Sequence, residues 1–230
     1  MVLKRKIYAK LLEWKENSQG KKAIMVEGAR RIGKSTIVEE FAKKEYESYI
    51  IIDFAKKDKN VEEFFNLYLN RLDDLFMMLG TYFSVKLIPR KSAIIFDEVQ
   101  SFPQARAAIK YLVADGRYDY IETGSLISIK ENIQDIVIPS EERSINMYPL
   151  DFEEFAWALG EEQLTDYIKN CFEKREALER GMHNKAMHLF KQYILVGGMP
   201  KPVSLFVESG KDFTAVDAEK RDILKLYRND

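Results

Sequence analysis

Residues 23–36 read Ala23-Ile-Met-Val26, then Glu27, then Gly28-Ala29-Arg30-Arg31-Ile32-Gly33-Lys34-Ser35-Thr36. No other stretch limits the fold as tightly. A short apolar run without alternation is the pattern of a strand buried on both faces. The loop bounded by glycines then opens a helix predicted from about Gly33 to Lys44. Gly28 and Gly33 permit backbone turns that a Cβ would block. The N–H groups of such a loop point inward and cradle phosphate oxygens, and the helix N-terminus behind them adds partial positive charge. Lys34 is placed to reach the β and γ phosphates of a nucleotide, and the Ser35 hydroxyl to ligate Mg2+. The candidate nucleotide-binding residues are therefore Gly28, Ala29, Arg30, Arg31, Ile32, Gly33, Lys34, Ser35 and Thr36. Arg31 reads as solvent-facing, and Arg30 as touching phosphate or pairing with an acid.

Strand and helix patterns alternate through the first 150 residues. Helices are predicted at 5–16, 61–79 and 104–114, the second as one long stripe from Val61 to Leu79 with Gly80 as its C-cap. Strands are predicted at Tyr49–Ile52 (ending at Asp53), Ser92–Phe96 and Tyr118–Glu122. This alternation predicts a parallel sheet with right-handed crossovers, so the C-terminal strand ends meet at one edge. Two further candidate groups fall there. Asp97, at the tip of the third strand, can hold the metal directly or through water, and Glu98 beside it can polarise an attacking water. Thr123-Gly124-Ser125 ends the fourth strand, with Thr123 the first choice and Ser125 the second for touching the γ-phosphate or the water.

After Pro149 the pattern turns helical. Asp151 and Glu154 form a cap before Phe152, Phe155 and Leu159, with Gly160 as the stop. Helices follow at 161–180 and 184–195, the latter closed by Gly197-Gly198-Met199-Pro200. Val216 to Asp230 reads as a helix cut short. The expected organisation is a core at 1–150 and a helical lid with the start of a truncated region at 151–230.

Composition removes several function classes. The chain of 230 residues carries 36 basic and 37 acidic side chains, a net charge of −1, against a general nucleic-acid-coating role. A single cysteine, Cys171, excludes an internal disulfide framework. No apolar run approaches membrane-spanning length and the N-terminus lacks a signal-peptide core, so a cytoplasmic protein without a membrane partner is expected. His183 and His188 do not share a helix face as a zinc pair would. Lys4-Arg5-Lys6 reads as a solvated helix start.

Together these motifs resemble the prokaryotic AAA+-type predicted ATPases whose C-terminal half is a domain of unknown function. The resemblance rests on Gly28-Ala-Arg30-Arg-Ile-Gly-Lys-Ser35, Asp97-Glu-Val-Gln100, Thr123-Gly-Ser125, Tyr148-Pro-Leu-Asp-Phe-Glu-Glu-Phe155 and Gly197-Gly-Met-Pro200. It implies an α/β P-loop NTPase fold of the ASCE, AAA+-like kind, ATP and Mg2+ as ligands, and a helical lid after the core. It also implies that related chains run on into a further domain. The segment Ile138-Pro-Ser-Glu-Glu-Arg143 has Ser140 where the resemblance leads one to expect glycine. Arg143 is the candidate for an arginine that acts in trans on a neighbour's γ-phosphate, in a homo-oligomer.

The resulting expectation is Mg2+-dependent ATP binding and hydrolysis used as a conformational switch. Two alternatives stay open. One is a signalling or scaffolding module that binds nucleotide with little turnover. The other is a nucleic-acid-coupled ATPase, which the net charge does not favour. No guanine-reading Asn-Lys-x-Asp pattern is present, and no residue pattern identifies a protein partner.

Overall fold

A computed structural model describes residues 1–125 and 140–229. Ile138 and Pro139 of the segment before Arg143, and Asp230, lie outside the described residues. The chain divides into two compact units: Ile7–Met147, and Met1–Lys6 together with Tyr148–Asp230.

The first unit is built on five strands, β1 (Ala23–Gly28), β2 (Ser48–Asp53), β3 (Ser92–Asp97), β4 (Asp119–Ser125) and β5 (Glu142–Asn146). All pair in parallel, in the order β2-β3-β4-β1-β5. The register sets Asp53 opposite Asp97, Phe96 opposite Glu122 and Gly28 opposite Ser125. The motif-bearing strand ends therefore share one edge. β5 was not among the predicted strands. Its sequence, Glu142-Arg-Ser-Ile-Asn146, has a single large apolar residue, because an edge strand needs no apolar run.

Helices cover the sheet. α1 (Ile7–Ser18) packs on α2 (Lys34–Glu45), with Tyr8 edge-on to Phe41 at 5.4 Å between ring centroids. α2 lies against β1 to β4. A large apolar cluster joins Met25, Ile52, Ile94, Phe96 and Tyr120 of the strands to Phe65, Leu75, Leu79, Ile109 and Leu112 of three further helices. These are α3 (Lys59–Tyr68), α4 (Leu72–Tyr82) and α5 (Pro103–Asp115). The stripe expected to form one helix at 61–79 is thus broken. Arg71 leaves helical geometry at φ −137° and ψ 73°, and Asp73 and Asp74 begin a new first turn, where acids suit the helix dipole. The apolar spacing survives the break because both helices feed the same cluster. Gly80 is not a C-cap. It lies inside α4, where an added Cβ would stand 3.0 Å from the Val85 carbonyl oxygen, and its own carbonyl accepts from Val85 N at 2.9 Å.

A buried ion pair lies in this unit. Arg106 of α5 grips Glu142 of β5 with two hydrogen bonds, at 3.0 and 2.8 Å, both side chains being almost fully buried. Glu122 of β4 is fully buried beside the pair. Burial pushes its carboxyl well above the usual carboxylate range; repulsion from Glu142 adds to this, and Arg106 opposes it.

The second unit holds α6 (Phe152–Ala158), α7 (Glu162–Lys174), α8 (Arg180–Val196), α9 (Pro200–Glu208) and α10 (Phe213–Asn229). Their core includes Leu150, Phe155, Leu189, Val203 and Phe206. Asp151 and Glu154 form a complete capping box at the start of α6. The helix predicted to reach residue 180 ends at Lys174, where Arg175 turns left-handed at φ 58°. In the basic triplet Lys4 and Lys6 are exposed, as a solvated start would be, but Arg5 is buried and all three pair within this unit. Arg5 Nε lies 3.2 Å from Glu154 and Arg5 Nη2 donates to the Tyr148 carbonyl at 2.5 Å; Lys6 pairs with Asp151 and Glu153, and Lys4 with Glu162. Gly198 has its own constraint. Leu150 N donates to the Gly198 carbonyl at 2.7 Å, and a Cβ on Gly198 would stand 2.2 Å from the Leu150 oxygen.

The buried acid predicts a pH dependence. An unfolded chain releases the Glu122 proton near the ordinary value of 4.5, while the folded chain holds it to higher pH. The folded state therefore loses stability as pH rises from that value towards the raised one. Glu122→Gln removes this slope. Its thermal midpoint should gain steadily on the wild type between about pH 5 and about pH 8; parallel curves would show that Glu122 is ionised in the fold.

Candidate functional site

The loop from Gly28 to Ser35 leaves β1 at the shared sheet edge and starts α2. Gly33 is the N-cap, in the left-handed region at φ 90° and ψ 26°, a conformation suited to glycine. Arg31 is also left-handed, at φ 66°, and exposed. Gly28 is required for a different reason. Its φ is not positive; a Cβ there would meet the Met147 carbonyl oxygen at 2.4 Å and Ile32 Cδ1 at 2.5 Å. Met147 N also donates to the Glu27 carbonyl at 2.7 Å, so the chain leaving β5 runs directly against the end of β1. Ile32 is fully buried and anchors the middle of the loop. Ala29 and Thr36 are exposed and Arg30 is half-buried.

Lys34 is only 4% exposed. Its ammonium donates to the loop's own carbonyls, Gly28 O at 3.2 Å and Ala29 O at 2.9 Å. Burial pulls its pKa below the ordinary value; Glu98 and Asp97 pull it up, and Arg30 adds to the lowering. A buried cation held by two neutral carbonyls is a fit place for an anionic oxygen, which would pair with its charge at short range.

Asp97 joins three elements. Its Oδ1 accepts from Ser35 Oγ of α2 at 2.7 Å and from Thr123 Oγ1 of β4. Thr123, fully buried, accepts in turn from the Glu98 backbone N–H at 3.2 Å. Glu98 follows β3 in the left-handed region, at φ 53° and ψ 47°, with its side chain half-buried. Its Oε2 accepts from Gln100 Nε2 at 2.5 Å. A cavity of about 370 Å³ opens beside Ser35 and Asp97 and also borders Asp53. Lys34, Ser35, Asp97, Glu98 and Thr123 are thus brought together. Ser125 is buried at the end of β4, opposite Gly28. Arg143 is not in the group. It pairs with Ile24 on the sheet, four residues before Gly28, roughly 13 Å back along the strands. Its guanidinium is half exposed and lies 3.9 Å from Glu13.

Among the described residues no three His, Cys, Asp or Glu side chains form a group able to hold a metal ion by themselves. Ser35 and Asp97 suit Mg2+, which takes few protein ligands and completes its shell with phosphate oxygens and water. Gln100 had no assigned role in the residue pattern. The only signal was its place in Asp-Glu-x-Gln. Among the described residues no helix is long and apolar enough to cross a membrane.

Comparison with known proteins came out as follows. The sequence profile of the AAA domain family matches residues 20–156, more than half of the chain. No curated protein matches. Among solved structures, C. elegans PCH-2 is similar at 12% identity and a TM-score of 0.43, over 87% of this chain and 59% of that one. The Aeropyrum pernix ORC1 protein in complex with DNA is similar at 9% identity and a TM-score of 0.42, over 85% of this chain and 68% of that one.

The steric reading of Gly28 can be checked directly. Gly28→Ala must move the Met147 backbone, so it should cost about 1–3 kcal/mol in chemical denaturation even without nucleotide. An unchanged unfolding midpoint would refute the close approach.

Proposed function

The chain belongs to the AAA domain family, and from that premise we propose that it binds ATP with Mg2+ and hydrolyses it, using turnover as a conformational switch. The supporting observation is Asp97 Oδ1, which accepts from both Ser35 and Thr123 and so ties the phosphate loop, β3 and β4 together.

In this reading the loop N–H groups and Lys34 hold the β and γ phosphates. Ser35 and Asp97 hold Mg2+, which when bound neutralises charge on those phosphates. To bind, the Lys34 ammonium exchanges the Gly28 and Ala29 carbonyls for phosphate oxygens. Glu98 accepts a proton from the attacking water at its carboxylate. Thr123 keeps Asp97 and the Glu98 backbone in register, and in this reading its hydroxyl is the group on β4 that serves the γ-phosphate or the attacking water. Arg143, set back from this edge and half exposed, is assigned to a neighbouring copy's γ-phosphate. Activity then depends on self-association.

Three substitutions separate the roles. Glu98→Gln should keep the rise in thermal midpoint caused by Mg2+ and ATP while turnover falls by about 10²-fold or more. Lys34→Ala should abolish the rise itself. Arg143→Ala should cut turnover by about 10³-fold, and specific activity of the wild type should climb with protein concentration. Full phosphate release by Glu98→Gln would remove Glu98 as the base. Activity independent of concentration would remove Arg143 from the mechanism.

A further inference from the structure

A base that takes a proton from water must present its carboxylate in one direction. Packing alone does not fix that of Glu98. The side chain is half-buried, and its backbone stands in the left-handed region at φ 53°. Among the described residues, the hydrogen bond to its carboxylate comes from Gln100 Nε2, to Oε2.

Gln100 is well placed to act as a clamp. It lies in the single helical turn Val99–Ser101, pinned on both sides. Ser101 N donates to the Glu98 carbonyl at 2.9 Å and Phe102 N to the Val99 carbonyl at 3.1 Å. Val99 is fully buried in the main apolar cluster, and Phe102 stacks on Phe54 at 5.2 Å. The Gln100 side chain starts from rigid backbone and is itself only 9% exposed.

Chemistry fixes which way the amide faces. A carboxylate oxygen accepts, so the amide nitrogen must be the end turned to Glu98. The other end, Oε1, is buried and has no hydrogen-bond partner among the described residues. Leaving a buried acceptor unmet costs free energy, and an apolar side chain of the same length would fill the space without that cost. A glutamine here makes sense when its donor is needed.

We propose that Gln100 is a positioning residue for the base: its amide nitrogen holds the Glu98 carboxylate in the direction from which it takes the proton. This rests on the reading of Glu98 as the base. It predicts a loss in the chemical step and none in nucleotide binding.

The test is a double-mutant cycle in ATP turnover, with nucleotide binding followed separately by thermal shift. Gln100→Met keeps side-chain length and removes the donor. It should lower kcat by about tenfold or more while KM and the ATP-dependent thermal shift stay within about twofold of the wild type. In a Glu98→Gln background the same change should alter residual turnover by less than about twofold. Gln100→Leu also removes the donor and should lose as much as Gln100→Met; this arm serves if the methionine variant folds poorly. Equal fold-losses in both backgrounds, a loss confined to KM, or a wild-type kcat in Gln100→Met or Gln100→Leu would each overturn the proposal. A wild-type chain that binds ATP without turning it over overturns the hydrolytic reading instead, and the positioning role with it.

Discussion

A single carboxylate oxygen, Asp97 Oδ1, connects the parts of this site. It receives a hydroxyl from the first turn of α2 and another from β4. That convergence is possible only because β4 is inserted between β1 and β3 in the sheet. If β1 and β3 were neighbours, Thr123 would lie outside the pair and Asp97 would answer to the phosphate loop alone. The strand order thus places a buried hydroxyl beside the acid at the tip of β3. The backbone N–H of the next residue, Glu98, then closes the circuit on Thr123.

Most of this edge was legible in the residues. Ala23–Val26, Tyr49–Ile52 and Ser92–Phe96 are apolar without alternation, as strands covered on both faces must be. The motif at Gly28–Ser35 has few uses other than phosphate binding. Much of what stayed hidden depends on partners far apart in the chain. β5 is polar because it lies at an edge, so no local pattern marks it. Gly28 looks like a turn glycine, yet what it accommodates is Met147. Arg5 looks like a surface charge and is buried against Glu154. The break at Arg71 is invisible to an apolar stripe that both helices continue. Gln100 is one polar residue among many until its distance to Glu98 is known.

The two motifs that set this chain apart from a generic phosphate-loop protein are also explained by contact. The Tyr148–Phe155 segment and Gly197–Pro200 meet in the helical unit. The Leu150 backbone pairs with Gly198 so closely that no side chain fits there. Tyr193 donates to the Leu150 carbonyl at 3.0 Å, and the capping-box acids Asp151 and Glu154 double as partners for Lys6 and Arg5. Glycine and acid at these positions serve a local junction. The buried trio in the sheet unit works differently. Arg106 spends its two hydrogen bonds on Glu142, and burial holds the neighbouring Glu122 carboxyl well above the usual carboxylate range.

The helical unit is discontinuous, and that bears on how the chain is made. Met1–Lys6 leave the ribosome before the whole of Ile7–Met147, yet their partners begin only at Tyr148. At about 5–20 residues per second the interval is roughly 7 to 30 s. Only at its end does the sheet unit have all its strands, and until then Leu3 and Arg5 lack the partners they pack against. The second unit is therefore completed by capturing a segment synthesised before the whole of the sheet unit.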